Sequence, residues 1–212
     1  MQVYFDSASR FLARTISLKP RLMLVLAVVL LMAVYLLPLW DMTMFAPQYP
    51  DGLRLHIYSH KLDGGNGGQD VREINLLNHY IGMRDLATEE FTEFKWMPFV
   101  VGGLALLMLR AAVLGTMSHL VDVVVMFMYF SAFSLWSFGY KLYSYGHFLS
   151  PTAAVKVGAF MPPMFGHRKL ANFDVYSYPA PGSYVLGAVL VILALAIVLS
   201  WREGRRAGGS TA

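Results

Sequence analysis

The sequence predicts an all-α integral membrane protein: four transmembrane helices with a small mixed, loop-rich periplasmic cap built from two external loops. Three observations carry this. The apolar stretches 22–40, 97–114, 120–140 and 184–201 each have about the length that crosses a ~30 Å hydrocarbon layer as a helix. Of the 212 residues, 57% are hydrophobic and 14% charged, too oily for an ordinary soluble domain. The basic residues flank the spans instead of forming a stripe, so the net charge of +4 reads as membrane orientation and not as nucleic-acid binding.

Residues 1–21 read as a cytoplasmic or interfacial amphipathic arm. Phe5, Phe11, Leu12 and Ile16 recur at roughly helical spacing, with Arg10 and Arg14 available for lipid phosphates. Lys19 and Arg21 precede the first span, 22–40, and Pro38-Leu39-Trp40-Asp41 at its end offers no small-x-small cleavage site, so it is an uncleaved anchor. Loop 41–96, span 97–114, the short turn 115–119, span 120–140, loop 141–183 and span 184–201 follow, and the tail 202–212 carries Arg202, Arg205 and Arg206. Basic flanks at both ends put both termini in the cytoplasm and both long loops outside. No span holds a charge near its midplane, which argues against an ion pump or proton-coupled transporter. Gly102-Gly103 reads as a point of close helix packing.

In the first loop, Pro47, Pro50 and Asp51-Gly52 are turn chemistry. Leu53–Tyr58 then alternates apolar and polar residues as a half-buried strand does, with Arg54, His56, Tyr58 and His60 on one face if it continues. Gly64–Gly68 is a solvated link. Ile74, Leu77 and Ile81 mark an amphipathic helix from Asp70 to about Gly82, and Asn75, His79 and Met83 share a face if the helix persists that far. The second loop, with Pro151, Pro162-Pro163, Pro179 and Pro181, predicts turn-rich backbone with little regular structure. Neither loop buries enough surface to fold alone, so the two are expected to pack on each other.

The chain has no cysteine, which removes disulfides, thiolate ligands and covalent haem. It has no GxSxG, no HExxH and no nucleotide cradle, so it reads as a protein without catalytic machinery. Five of six histidines and several methionines fall in the outer loops. Imidazole and thioether suit copper, methionine favouring the cuprous ion. The metal candidates are His79, Met83, His60 and His147. No histidine has a carboxylate beside it in sequence. A quinone held by outer aromatics with His79 or His147 is the alternative cofactor.

Pro38-Leu39-Trp40, Ala46–Leu53 and Ile74–Met83, with Pro162–Gly166, Asn172-Phe173 and Tyr178-Pro179, resemble the NosB-type four-span proteins encoded beside nitrous oxide reductase in some bacteria. The resemblance covers both loops and the span edges. It implies a bacterial inner-membrane accessory protein supporting maturation of, or electron delivery to, a periplasmic copper enzyme. Its partners would be membrane lipids and other proteins of a redox system. It brings no assigned catalytic residues, and His167 departs from the small hydroxyl residue expected there. The loop motifs supply the partner-binding candidates Gln48, Tyr49, Asn75, Asn78, His79, Tyr80, Pro162, Pro163 and Phe165.

Overall fold

Each apolar stretch contains a helix, with bounds set by local chemistry. The computed structural model describes residues 9–170 and 172–209; Phe5 and the side chains of Arg205 and Arg206 lie outside the described residues. The helices are α1 (Leu18–Ala33), α2 (Gln69–Ile81), α3 (Glu93–Leu114), α4 (Met117–His147) and α5 (Pro181–Gly209). The strands are β1 (Trp40–Ala46), β2 (Tyr49–Ile57), β3 (Leu62–Gly64), β4 (Gly166–Leu170) and β5 (Phe173–Pro179). The protein is thus mostly helical with a small antiparallel sheet. Three helices, α3, α4 and α5 as far as Gly204, are long and apolar enough to cross a membrane.

The stretch expected to be helical over 22–40 behaves differently. Helix α1 has 16 residues, a length of about 24 Å. Residues 34–36 turn, Pro38 follows, and Trp40 already opens β1. Even so, α1 exposes Leu18, Leu22, Val25, Val29 and Met32 along one face and buries Leu24, Ala27 and Leu31 on the other. Helix α3 does the same, with Phe99 82% and Val113 76% exposed while Leu104, Met108 and Ala111 are buried. Apolar faces this continuous suit hydrocarbon and not water.

The chain divides into two compact units. In the first, 1–33 with 99–131 and 185–212, the arm is pinned by backbone. Thr15 bridges Thr116, Ile16 N donates to Gly115 O (2.8 Å) and Met117 N to Arg14 O (2.8 Å). The Arg21 guanidinium donates to Ile16 O (3.2 Å) and Val113 O (3.3 Å). It lies directly over Gly115, whose φ of +64° and lack of a side chain make room for it. The turn expected over 115–119 is only Gly115-Thr116, because α4 begins at Met117. Gly103 is not a packing point: a Cβ there would meet nothing within 4 Å.

In the second unit, 34–98 with 132–184, both connectors build one sheet in the order β3-β2-β1-β5-β4. Strand β1 pairs with β2 from Trp40↔Ile57 to Ala46↔Tyr49 and with β5 from Trp40↔Pro179 to Phe45↔Asp174. The second connector therefore carries a β4–β5 hairpin where turn-rich backbone was expected. Its prolines sit before the hairpin or at its end, where a missing N–H does not cost a ladder bond. The period-2 pattern delivers Met42, Leu53, Leu55 and Val175 to one face, where they pack with Ile74 of α2 and Leu142 of α4. Strand β2 ends at Ile57, so Tyr58 and His60 leave it instead of sharing its face with Arg54 and His56.

Candidate functional site

Helix α2 stops because Gly82 adopts φ 78° and ψ 15°, a left-handed cap that an L side chain resists. Gly82 N then bonds His79 O (3.3 Å) and Met83 N bonds Asn78 O (2.9 Å), closing the helix and turning the chain sharply. The segment after the cap is held by α2 itself. Asn75 Oδ1 accepts from Leu86 N (2.7 Å) and Asn78 Nδ2 donates to Arg84 O (3.3 Å). Tyr145 of α4 adds a bond from its hydroxyl to Asp85 O (3.1 Å).

The end of α4 is tied to the same place. Ser150 N donates to Gly82 O (2.7 Å) and Val155 N to Tyr80 O (2.9 Å). A Cβ on Gly82 would lie 2.8 Å from Ala153 Cβ and 2.9 Å from Ser150 O, so the glycine permits the approach as well as the turn. Gly146 does the same on α4: its carbonyl accepts from Phe160 N (3.0 Å), and a Cβ there would overlap the Phe160 carbonyl oxygen.

These ties enclose an open cleft of about 730 Å³, and His79, Met83 and His147 all line it. Three of the four sequence-selected metal candidates thus converge, although Met83 lies past the end of α2 and not on its face. His147 is oriented: its ring stacks on Tyr143 with centroids 3.8 Å apart, and Nδ1 is 3.0 Å from Tyr143 O. A carbonyl can only accept, so Nδ1 is the donor, which leaves Nε2 as the nitrogen of the ring not engaged by this bond. Arg84, Asp85 and Glu90 complete the polar lining, a net charge of −1. His60 is not part of it; it lies in the β2–β3 turn beside Ser59 and Tyr58.

Several expected partner-binding residues serve the fold instead. Asn75 and Asn78 hold the segment after α2, and the Tyr49 hydroxyl donates to Glu73 Oε2 at 2.8 Å. That bond raises the Tyr49 phenol above its ordinary value, with burial and the Glu73 charge adding to it. Pro162 and Pro163 are buried, so they present no docking surface; Gln48, His79, Tyr80 and Phe165 are exposed.

The sheet also corrects the expectation that no histidine has a carboxylate neighbour. His56 Nδ1 lies 2.6 Å from Asp41 Oδ1 across β1–β2, and His167 Nε2 2.8 Å from Asp174 Oδ1 across β4–β5. Both pairs are cross-strand, invisible to sequence spacing. A further network escaped notice: Glu93, at the start of α3, accepts from Ser137 Oγ (2.8 Å) and pairs with Lys141 (3.4 Å). The only signal was one acid and one base at the edges of adjacent apolar stretches.

Among the described residues no group of three or more His, Cys, Asp or Glu side chains could hold a metal ion. The cleft adds one thioether, Met83, to its two imidazoles. No family model, curated protein or solved structure matches this chain.

Proposed function

We propose that this chain is a four-crossing bacterial inner-membrane accessory protein that supports maturation of, or electron delivery to, a periplasmic copper enzyme, nitrous oxide reductase by resemblance. Its sheet unit is the docking surface. The observation that carries the reading is the pairing of β1 with both β2 and β5. Backbone ladders do not form across hydrocarbon, so both connectors belong on one side of a bilayer. Spans α3 and α4 return the chain to that side. The Thr15–Thr116 bridge ties the arm to the turn between them, one crossing away from β1. In this reading helix α1 crosses to deliver Trp40 to the sheet, short as it is, by local thinning or snorkelling at its ends. Helix α5 takes the tail back, and Arg10, Arg14, Lys19 and Arg21 before α1, with Arg202 near the end of α5, make that side cytoplasmic.

For docking, the sheet unit offers exposed rings in pairs: Phe165 on Tyr178 (5.4 Å) and Phe45 on Tyr176 (5.8 Å). Aromatics are enriched at protein interfaces. Deleting the gene in a nitrous-oxide-respiring host should abolish reductase activity while the reductase polypeptide is still exported. Normal activity in the deletion strain would remove the reading.

A second reading, a quinol-handling subunit of a membrane redox complex, is favoured by one feature of α4. Trp136 and Tyr140 are exposed and stacked (5.8 Å, 15°), with Phe133 next to Trp136. Ser137 and Lys141 hold the Glu93 carboxylate on the same stretch of helix. Quinone extracted with the purified chain would favour this reading; a quinone-free chain in an active complex would count against it.

A further inference from the structure

We infer that the cleft between the cap of α2 and the end of α4 is a cuprous-ion site with His79, Met83 and His147 as ligands. This deepens the accessory reading by naming what the sheet unit carries, and it rests on that reading only for its purpose.

The ligand set selects the ion. Two imidazoles and a thioether, with no thiolate anywhere in the chain, are poor for magnesium, calcium or manganese, which take oxygen. Zinc prefers four nitrogen, sulfur-anion or carboxylate ligands, and the described residues offer no group of three such side chains. A soft monovalent ion that accepts thioether sulfur fits what is present. The surplus negative charge of Asp85 and Glu90 over Arg84 favours a cation in the cleft. Lys141, the nearby cation on α4, is engaged by the Glu93 carboxylate (3.4 Å) and the Glu90 carbonyl (3.4 Å).

The geometry of His147 is the second, independent observation. Metal-binding histidines characteristically donate their other ring N–H to a carbonyl or carboxylate, which fixes the tautomer and aims the free nitrogen. His147 does this through Nδ1 to Tyr143 O, and the Tyr143 ring holds its plane. The Met83 main chain is fixed as well, since its amide bonds Asn78 O immediately after the left-handed Gly82. Flexible methionine needs such anchoring if it is to serve as a ligand and not as filler.

The test uses the full chain purified in detergent, kept anaerobic with ascorbate, and titrated with Cu(I) against a chromophoric Cu(I) chelator. One Cu(I) per chain should bind. His79→Gln, Met83→Leu and His147→Phe should each weaken it more than about tenfold, while His60→Ala leaves it unchanged. His147→Phe keeps the stack on Tyr143, and the thermal midpoint of every variant is measured alongside. X-ray absorption of the loaded chain should show both nitrogen and sulfur neighbours. Loss spread equally over all histidine variants including His60→Ala, a nitrogen-only spectrum, or Zn(II) displacing the copper at equal concentration would each overturn the assignment. Capture of the partner enzyme by a folded Met83→Leu chain separates the two ideas: docking that persists without copper upholds the accessory reading when the copper site fails.

Discussion

Replacing Gly82 by alanine tests whether the cap of α2 is held by backbone conformation alone or also by the chain packed on it. At φ +78° an alanine incurs the left-handed penalty of roughly 1–2 kcal/mol. Its Cβ must also displace Ser150 and Ala153, which lie 2.8–3.0 Å from it, and so strains the Ser150 N–Gly82 O bond of 2.7 Å. A hydrogen bond of this kind contributes about 1 kcal/mol, and leaving the buried Gly82 carbonyl without its donor costs about 1–3 kcal/mol. Gly67 provides the control, since its φ is +65° but a Cβ there meets nothing within 4 Å. Gly67→Ala should therefore report conformational strain alone, and Gly82→Ala strain plus the lost docking of 150–155. At about 2–4 °C per kcal/mol for a chain of this size, the extra term of 1–2 kcal/mol lowers the midpoint by a further 2–8 °C or so. Tryptophan fluorescence during heating in detergent reads the difference. Equal midpoints for the two variants would refute the argument that the α4 end is braced through Gly82.

Two further outcomes follow from single side chains. Arg21→Ala should free the arm from the α3–α4 turn, at a cost of about 1–3 kcal/mol for carbonyls left without their charged donor; Arg21→Lys restores charge but not the fork and should recover only part, as read by proteolysis of the arm. Tyr49 sets an alkaline limit: its raised phenol pKa means the bond to Glu73 stabilises fully below the ordinary tyrosine value of ~10 and is lost as pH rises through the folded-state value. The stability gap between the parent chain and Tyr49→Phe should therefore hold at neutral pH and close only in alkali, and a gap independent of pH would show that the hydroxyl acts some other way.

What the sequence made legible was whatever is written in local period. The helix from Asp70 to about Gly82 was visible from Ile74, Leu77 and Ile81, because a 3.6-residue pattern acts within a few residues; the left-handed cap at Gly82, which takes Met83 off its face, was not. The Leu53–Tyr58 strand was visible for the same reason, although its start at Tyr49 was hidden by turn residues Pro50 and Gly52 that the strand absorbs. The β4–β5 hairpin was missed because its stabilisation is not local: β5 exists as the neighbour of β1, more than 130 residues earlier, and prolines around it mimic a loop. The cleft was half legible. Chemistry singled out His79, Met83 and His147, but it is long-range ties such as Gly82–Ser150 and Tyr80–Val155 that bring them to one cleft, and His60 was admitted by residue type alone. That Asn75 and Asn78 brace their own backbone and that Pro162 and Pro163 are buried was not legible, because amides and prolines in a connector look alike whether they face a partner or hold the fold.

The two β-contacts constrain the path of the chain more tightly than hydropathy does, and they make a prediction that hydropathy alone does not. By length and apolarity, among the described residues only α3, α4 and α5 qualify as spans, and three crossings would put the two ends of the chain on opposite sides. The sheet requires Asn66 and Lys169 to share a compartment, because β3 and β4 belong to it. The arm–turn bridge requires Thr15 and Thr116 to share one as well, and on the proposed path α3 crosses between Thr116 and the sheet. With α1 uncrossed, Thr15 would share a compartment with β1 and so be parted from Thr116 by the bilayer, so the proposed path takes α1, ~24 Å long, across. Reporters active only in the cytosol should stay dark at Asn66 and Lys169 and light at Ser118 and after Arg202. Light at just one of the two connector sites would mean the sheet does not form in the membrane, and darkness at Ser118 with light at the connectors would invert the orientation drawn from the basic flanks. Opposite signals at the arm and at Ser118 would return α1 to the status of a buried or re-entrant helix, and the four-crossing path would fall with it.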